Sequence, residues 1–144
     1  MTVGEVVDYV YDSLIERAEV PSIEQIGVAF DRDPSAMARF IREAKIGKTL
    51  LLDSSDATWM AGPFSARPTA YRVRQGSKRW FANCAWDALG IGALVRGPVD
   101  ISATCADCGE RLDFPLASDG DDIPDWIVHF LVPARRWYDD IGFT

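Results

Sequence analysis

The spacing of apolar side chains changes part-way along this chain, and that change limits the folds open to it. Before Gly47, apolar residues recur every three or four positions; from Thr49 onward most come in short runs separated by turn residues. The first period belongs to helices and the short alternating runs belong to strands. Helices first and strands afterwards predict an α+β fold.

Val3, Val6, Val7, Val10, Leu14 and Ile15 form one apolar stripe of a first helix. Pro21-Ser22 ends that unit and opens a second, with Ser22 as N-cap and Gln25 completing a capping box. Asp33-Pro34-Ser35 opens a third, which carries Met37, Phe40 and Ile41 inward and closes at Gly47. Thr49–Leu52 and Thr58–Met60 read as strands joined by the turn Asp53-Ser54-Ser55-Asp56. Three helices and a hairpin outline a winged-helix-like domain over residues 1–62. As a DNA reader, its third helix would need a basic face. Arg39, Arg42 and Lys45 are diluted by Asp31, Asp33 and Glu43, and the whole chain carries a net charge of −7. The electrostatics favour a structural support and weigh against a nucleic-acid partner.

A linker-like crossing, Gly62–Pro68, leads to a second domain over residues 63–144. Ala70–Arg74 and Arg79–Phe81 should pair as strands, followed by a helix from Cys84 to about Val95 that stops near Gly97-Pro98. Val99–Thr104 and Arg111–Phe114 flank the tight turn Cys105–Gly109. Trp126–Val132 is the strongest buried-strand signal, and His129 inside it reads as a core residue. The expected core is a small mixed or antiparallel sheet around one central helix. Arg67, Arg72, Arg74, Lys78 and Arg79 read as a solvated hairpin edge guarded by charge.

At 144 residues and 48% apolar, the chain can build a folded core. It has no run approaching the roughly 20 apolar residues of a membrane span, and its start lacks the pattern of a signal peptide. The expectation is a soluble cytoplasmic protein with no membrane partner. Three cysteines in that setting point to metal binding, thiol chemistry or buried thiols, not to a disulfide framework.

Cys84 and Asp87, three residues apart, would share one helix face. Asn83 as N-cap would put Cys84 in the first turn, where unpaired N–H groups lower a thiol's pKa. The plainer alternative, a packed cysteine beside an aspartate complementing the helix end, fits the spacing equally. Cys105-x-x-Cys108-Gly109 has the shape of a zinc knuckle, but it is half of a tetrahedral site; Cys84, His129 or a carboxylate would have to complete it. Asp119, Asp121 and Asp122 read as a solvated acidic loop.

The segments Pro63–Val73 and Trp80–Ile91 together resemble the organomercurial (alkylmercury) lyases. The resemblance rests on Arg67-Pro68-Thr69 and on Cys84-Ala85-Trp86-Asp87, which fall on the family's Arg/Asn-Pro-Thr strand and Cys-Ala-x-Asp helix. It implies that Cys84 and Asp87 are the catalytic thiol and carboxylate, with Cys105 the counterpart of a cysteine considered structural. It also implies a small organometallic or other thiophilic substrate, cellular thiols as partners and no required cofactor. Mercury(II) is soft and thiophilic, so Cys84, Cys105 and Cys108 are candidate metal ligands, with zinc a further possibility at the last two.

The family's second catalytic cysteine comes from a late strand. Val132–Thr144 looks like the approach to it, which suggests a short or C-terminally truncated member. Cys108 would be the available substitute as a second mercury ligand. Three functions follow: a lyase that breaks a carbon–mercury bond by protonolysis, a thiol-based binder of Hg, Cu or Zn on the same fold, and a metal-sensing winged-helix regulator that the acidic charge disfavours.

Overall fold

A computed structural model of the chain describes residues 1–44, 49–117, 125 and 127–141. The helix-closing role expected of Gly47, the cation Lys45, the acidic loop of Asp119, Asp121 and Asp122, and Trp126 lie outside the described residues.

The three expected N-terminal helices form, each begun by a side chain that satisfies otherwise unpaired backbone N–H groups. Helix α1 (Val3–Arg17) starts with a capping box between Thr2 and Glu5, and α2 (Ile23–Ala29) with one between Ser22 and Gln25. In α3 (Pro34–Glu43), Asp33 caps and Pro34 occupies the first turn, where its missing N–H costs no bond. Val6, Val10, Ser13 and Leu14 of α1 are buried, as are Met37, Ala38 and Ile41 of α3.

The strands are β1 (Leu50–Leu52), β2 (Thr58–Ala61), β3 (Phe64–Ser65), β4 (Arg72–Gln75), β5 (Lys78–Ala82), β6 (Val99–Thr104) and β7 (Arg111–Leu116). They make one antiparallel sheet in the order β1-β2-β3-β5-β4-β6-β7. The crossing expected to be a linker contains β3, which joins the N-terminal hairpin to β5: Ala61 faces Phe64, and Phe64 faces Ala82. The β4–β5 hairpin is therefore interior to the sheet and not an edge.

Alternation places Val73, Trp80, Ala82, Val99 and Ile101 in the core, against helix α4 (Ala85–Val95), whose Ala88, Ile91, Gly92 and Val95 are buried. The opposite face is polar. Arg74 pairs with Asp100 at 2.6 Å, and Asp113 accepts from Ser102 at 2.5 Å and from Arg111 at 2.6 Å. That is where much of the basic segment goes. The rest is structural: Arg67 pairs with Asp53, while Lys78 donates to Ile15 O at 2.8 Å. In α3, Arg42 holds Asp56 at 2.6 Å in the β1–β2 turn, so the helix with the expected cations is tied to its own hairpin.

Sheet and α1 are joined through the helix's last turn. The Trp80 indole N–H donates to Leu14 O at 2.7 Å in the interior, beside the Lys78 bond. Both meet carbonyls at the negative end of α1, and the Lys78 charge complements that end.

One strong expectation fails. Residues 127–132 form no strand: Ile127 is 93% exposed, Leu131 is 80% exposed, and His129 is also exposed rather than in the core. An apolar run is compatible with a buried strand only if a sheet edge receives it, and β1 and β7 end this sheet unpaired by it. After it comes a short 3-10 turn, Ala134–Arg136. Among the described residues, no helix is long and apolar enough to cross a membrane.

Candidate active site

The thiol and the carboxylate meet where β5 turns into α4. The N-cap is Cys84 itself and not Asn83: its backbone is extended (φ −148°, ψ 179°), and its Sγ accepts the Asp87 N–H at 3.4 Å. Cys84 thus caps α4 through its sulfur, which stands beside the Asp87 that donates to it.

Asn83 has a different task. Its N–H donates to Pro63 O at 3.3 Å and its side-chain amide to Gly62 O at 2.9 Å, stitching the α4 entrance to the β2–β3 turn. Its Oδ1 is buried and, among the described residues, has no hydrogen-bond partner. Ahead of β4, Thr69 Oγ1 lies 2.7 Å from Ala82 O and fixes a residue just before this junction.

The electrostatics reverse the expected sign for the thiol. Burial pushes Cys84 up to about 11, and the charge of Asp87 and its hydrogen bond act in the same direction. The N–H groups of Asp87 and Trp86 pull it down but do not win. Partial removal from water disfavours the thiolate more than one helix turn favours it. Burial likewise raises Asp87, against the hydrogen bonds from Cys84 and Asn83. The pair therefore holds protons more firmly than free side chains do.

Cys84 and Asp87 open into a cleft of about 290 Å³. Leu51, Met60 and Ile141 make its aliphatic wall, and Trp86, Phe130, Trp137 and Tyr138 its aromatic one. Phe130 stands edge-on to Trp86 at 6.2 Å and against Trp137 at 4.9 Å; the Trp137 indole donates to Val132 O at 2.8 Å. Larger hollows of about 530 and 640 Å³ elsewhere contain no cysteine, so the smaller cleft is the one with reactive groups.

Sequence reasoning missed several contributors. Tyr11 reaches over from α1; burial, then the charge of Asp87, raise its hydroxyl. Tyr71 is raised by burial and then by the charges of Cys84 and Cys105, so its phenol lies within electrostatic reach of both thiols. Neither tyrosine stands in a motif with Cys84, and no local signal marks them. Phe130 had a signal, its apolar run, but that signal pointed to a strand.

Cys105 and Cys108 lie in the β6–β7 turn, the first half-buried and the second exposed. The backbone N–H groups of Cys108 and Asp107, then the Cys108 thiol, hold the Cys105 thiol below its usual range. Among the described residues, no three His, Cys, Asp or Glu side chains are grouped to hold a metal ion. Cys84 is thus not gathered with Cys105 and Cys108, and two thiols do not fit the four-ligand site of a structural zinc.

The family model described as MerB, alkylmercury lyase, matches residues 64–142. This chain belongs to the alkylmercury lyase family. The matched span contains the Cys84–Asp87 pair, the Cys105–Cys108 turn and the aromatic wall of the cleft. Among curated proteins, no sequence matches. Of solved structures, the crystal structure of the mercury-bound form of MerB2 has a TM-score of 0.61 at 19% identity. It covers 79% of this chain, and this chain spans 55% of the length of that one. At that identity the likeness carries the fold of an alkylmercury lyase, α+β, and nothing finer.

Proposed function

We propose that this alkylmercury lyase family member cleaves carbon–mercury bonds by protonolysis, with Cys84 as the mercury-binding thiol and Asp87 as the proton carrier. The observation that carries the reading is the Cys84–Asp87 pair, joined by the Asp87 N–H to the Cys84 sulfur, opening into an apolar, aromatic cleft. An organomercury cation arrives as the adduct of a cellular thiol. The sulfur of Cys84 bonds to mercury, the carrier leaves as its thiolate, and the Cys84 proton passes to the neighbouring Asp87 carboxylate. Asp87, whose burial favours the neutral form, then protonates the carbon. The electron pair of the carbon–mercury bond stays with carbon, mercury remains Hg(II), and the organic product is a hydrocarbon. The regenerated carboxylate is left beside the Hg(II) on Cys84. Trp86, Phe130 and Trp137 offer the organic group an apolar wall.

The raised thiol is compatible with this chemistry. A soft cation replaces the proton on sulfur directly, so a free thiolate need not accumulate beforehand. Incubation with methylmercury and excess thiol should release methane. Cys84→Ser should abolish that release, and a variant retaining full turnover would refute the mechanism.

A second reading, capture without turnover, is favoured by one observation: Cys84 is the single cysteine among the residues lining the cleft. Mercury bound tightly without methane release would support it.

A further inference from the structure

We propose that Cys105 and Cys108 form a second site, separate from Cys84, for a soft cation that takes two thiolates. The turn is built to hold them together. Strands β6 and β7 pair without interruption from Val99–Leu116 to Thr104–Arg111, so the loop between them is short and anchored. The Cys105 N–H donates to Glu110 O at 2.8 Å and the Gly109 N–H to Cys105 O at 3.0 Å. Gly109 sits at φ +74°, a left-handed conformation that closes the reversal and that other residues adopt only with strain.

Cys105 and Cys108 stand three residues apart inside this closed turn, the spacing at which two thiols on one turn chelate a single ion. Cys108 is exposed, so an ion can enter from solvent. Asp107 and Glu110 add negative charge on the same turn, which favours a cation.

The number of ligands selects the ion. Among the described residues, no third His, Cys, Asp or Glu joins the pair, so the turn offers two ligands where structural zinc prefers four. Two thiolates suffice for linear Hg(II) or Cu(I). The choice of Hg(II) rests on the lyase reading above, which generates that ion. Binding forms two mercury–sulfur bonds and releases two thiol protons to water, with no change of oxidation state.

The test uses mercuric chloride and the full chain carrying Cys84→Ser, in a large excess of glutathione. One Hg(II) per chain should be retained by mass spectrometry, with a thiolate-to-mercury absorption in the ultraviolet. Adding Cys108→Ser, at an exposed position, should weaken retention about a hundredfold or more, because the chelate becomes a monothiol. Circular dichroism that matches in the two variants excludes misfolding as the cause. Equal retention in both would overturn the proposal, and so would complete loss of mercury to glutathione from the Cys84→Ser chain. Zinc should be stripped under the same conditions; retained zinc would overturn the two-ligand assignment. Methane release by the unaltered chain is read separately. Its absence removes the lyase reading and leaves the mercuric chloride result intact, whereas loss of retention alongside methane release removes only the dithiol site.

Discussion

The hydroxyl of Tyr11, on α1, is packed directly against the α-carbon of Gly62 in the β2–β3 turn. A Cβ at Gly62 would lie 1.8 Å from Tyr11 Oη, and the glycine holds a left-handed φ of +55°. Gly62 O accepts the amide of Asn83, the residue next to the Cys84 that caps α4. One glycine thus lets a helix of the N-terminal third approach the Cys84–Asp87 junction.

Gly62→Ala should destabilise the protein by about 2–5 kcal/mol, through overpacking and backbone strain together. Urea unfolding measures this. Combining it with Tyr11→Phe removes the closest clash but not the strain, so only part of the loss should return. Full recovery would mean that the backbone conformation contributes nothing.

Asp87→Asn should stabilise the fold at neutral pH. Burial raises the folded-state pKa of Asp87 above its unfolded value. The stability this group contributes is complete below the ordinary carboxyl value of 3.8 and is lost as pH rises through the folded value. The asparagine removes that loss. Its melting temperature should exceed the parent's at pH 7, with the gap closing as pH falls toward 3.8. The same variant should release no methane. A lower melting temperature at pH 7 would contradict the burial argument.

Iodoacetamide should modify Cys105 before Cys84. Alkylation requires the thiolate, and Cys84 is pushed up to about 11 while Cys105 is held below its usual range. Peptide mass spectrometry across a pH series should show the Cys84 rate still rising toward pH 11. Fast labelling of Cys84 at neutral pH would show that the helix end outweighs burial.

Trp80→Phe should cost about 1–3 kcal/mol, from a lost interior hydrogen bond and lost volume. The indole N–H bonds Leu14 O at 2.7 Å from a side chain only 4% exposed. Lys78→Met removes the adjacent bond to Ile15 O from a more solvated position and should cost less, about 0.5–1.5 kcal/mol. Thermal or urea unfolding orders the two.

Local chemistry made much of the fold legible. Ser22 with Gln25, and Asp33 before Pro34, start their helices as short-range hydrogen bonding dictates. The alternation of Val99, Ile101 and Ala103 gives β6 one buried face. The pairing of Cys84 with Asp87 was legible too, because three residues on a helix is a local distance. Less legible was the cap. Asn83 is a favoured capping residue, but it is drawn off to Gly62, in a turn 21 positions away, and Cys84 takes the role.

By itself, the sequence determined the helices, the hairpins and the meeting of thiol with carboxylate, since each depends on neighbours within a few residues. Only the tertiary structure decided the rest. Residues 127–132 are apolar enough for a strand, yet no sheet edge receives them, and Phe130 joins Trp86 and Trp137 in the cleft wall. The ionisation of Cys84 followed the same rule. A helix start lowers a thiol's pKa through local dipoles, whereas burial raises it through everything packed around it. Burial is a property of the whole fold, and here it is the larger effect.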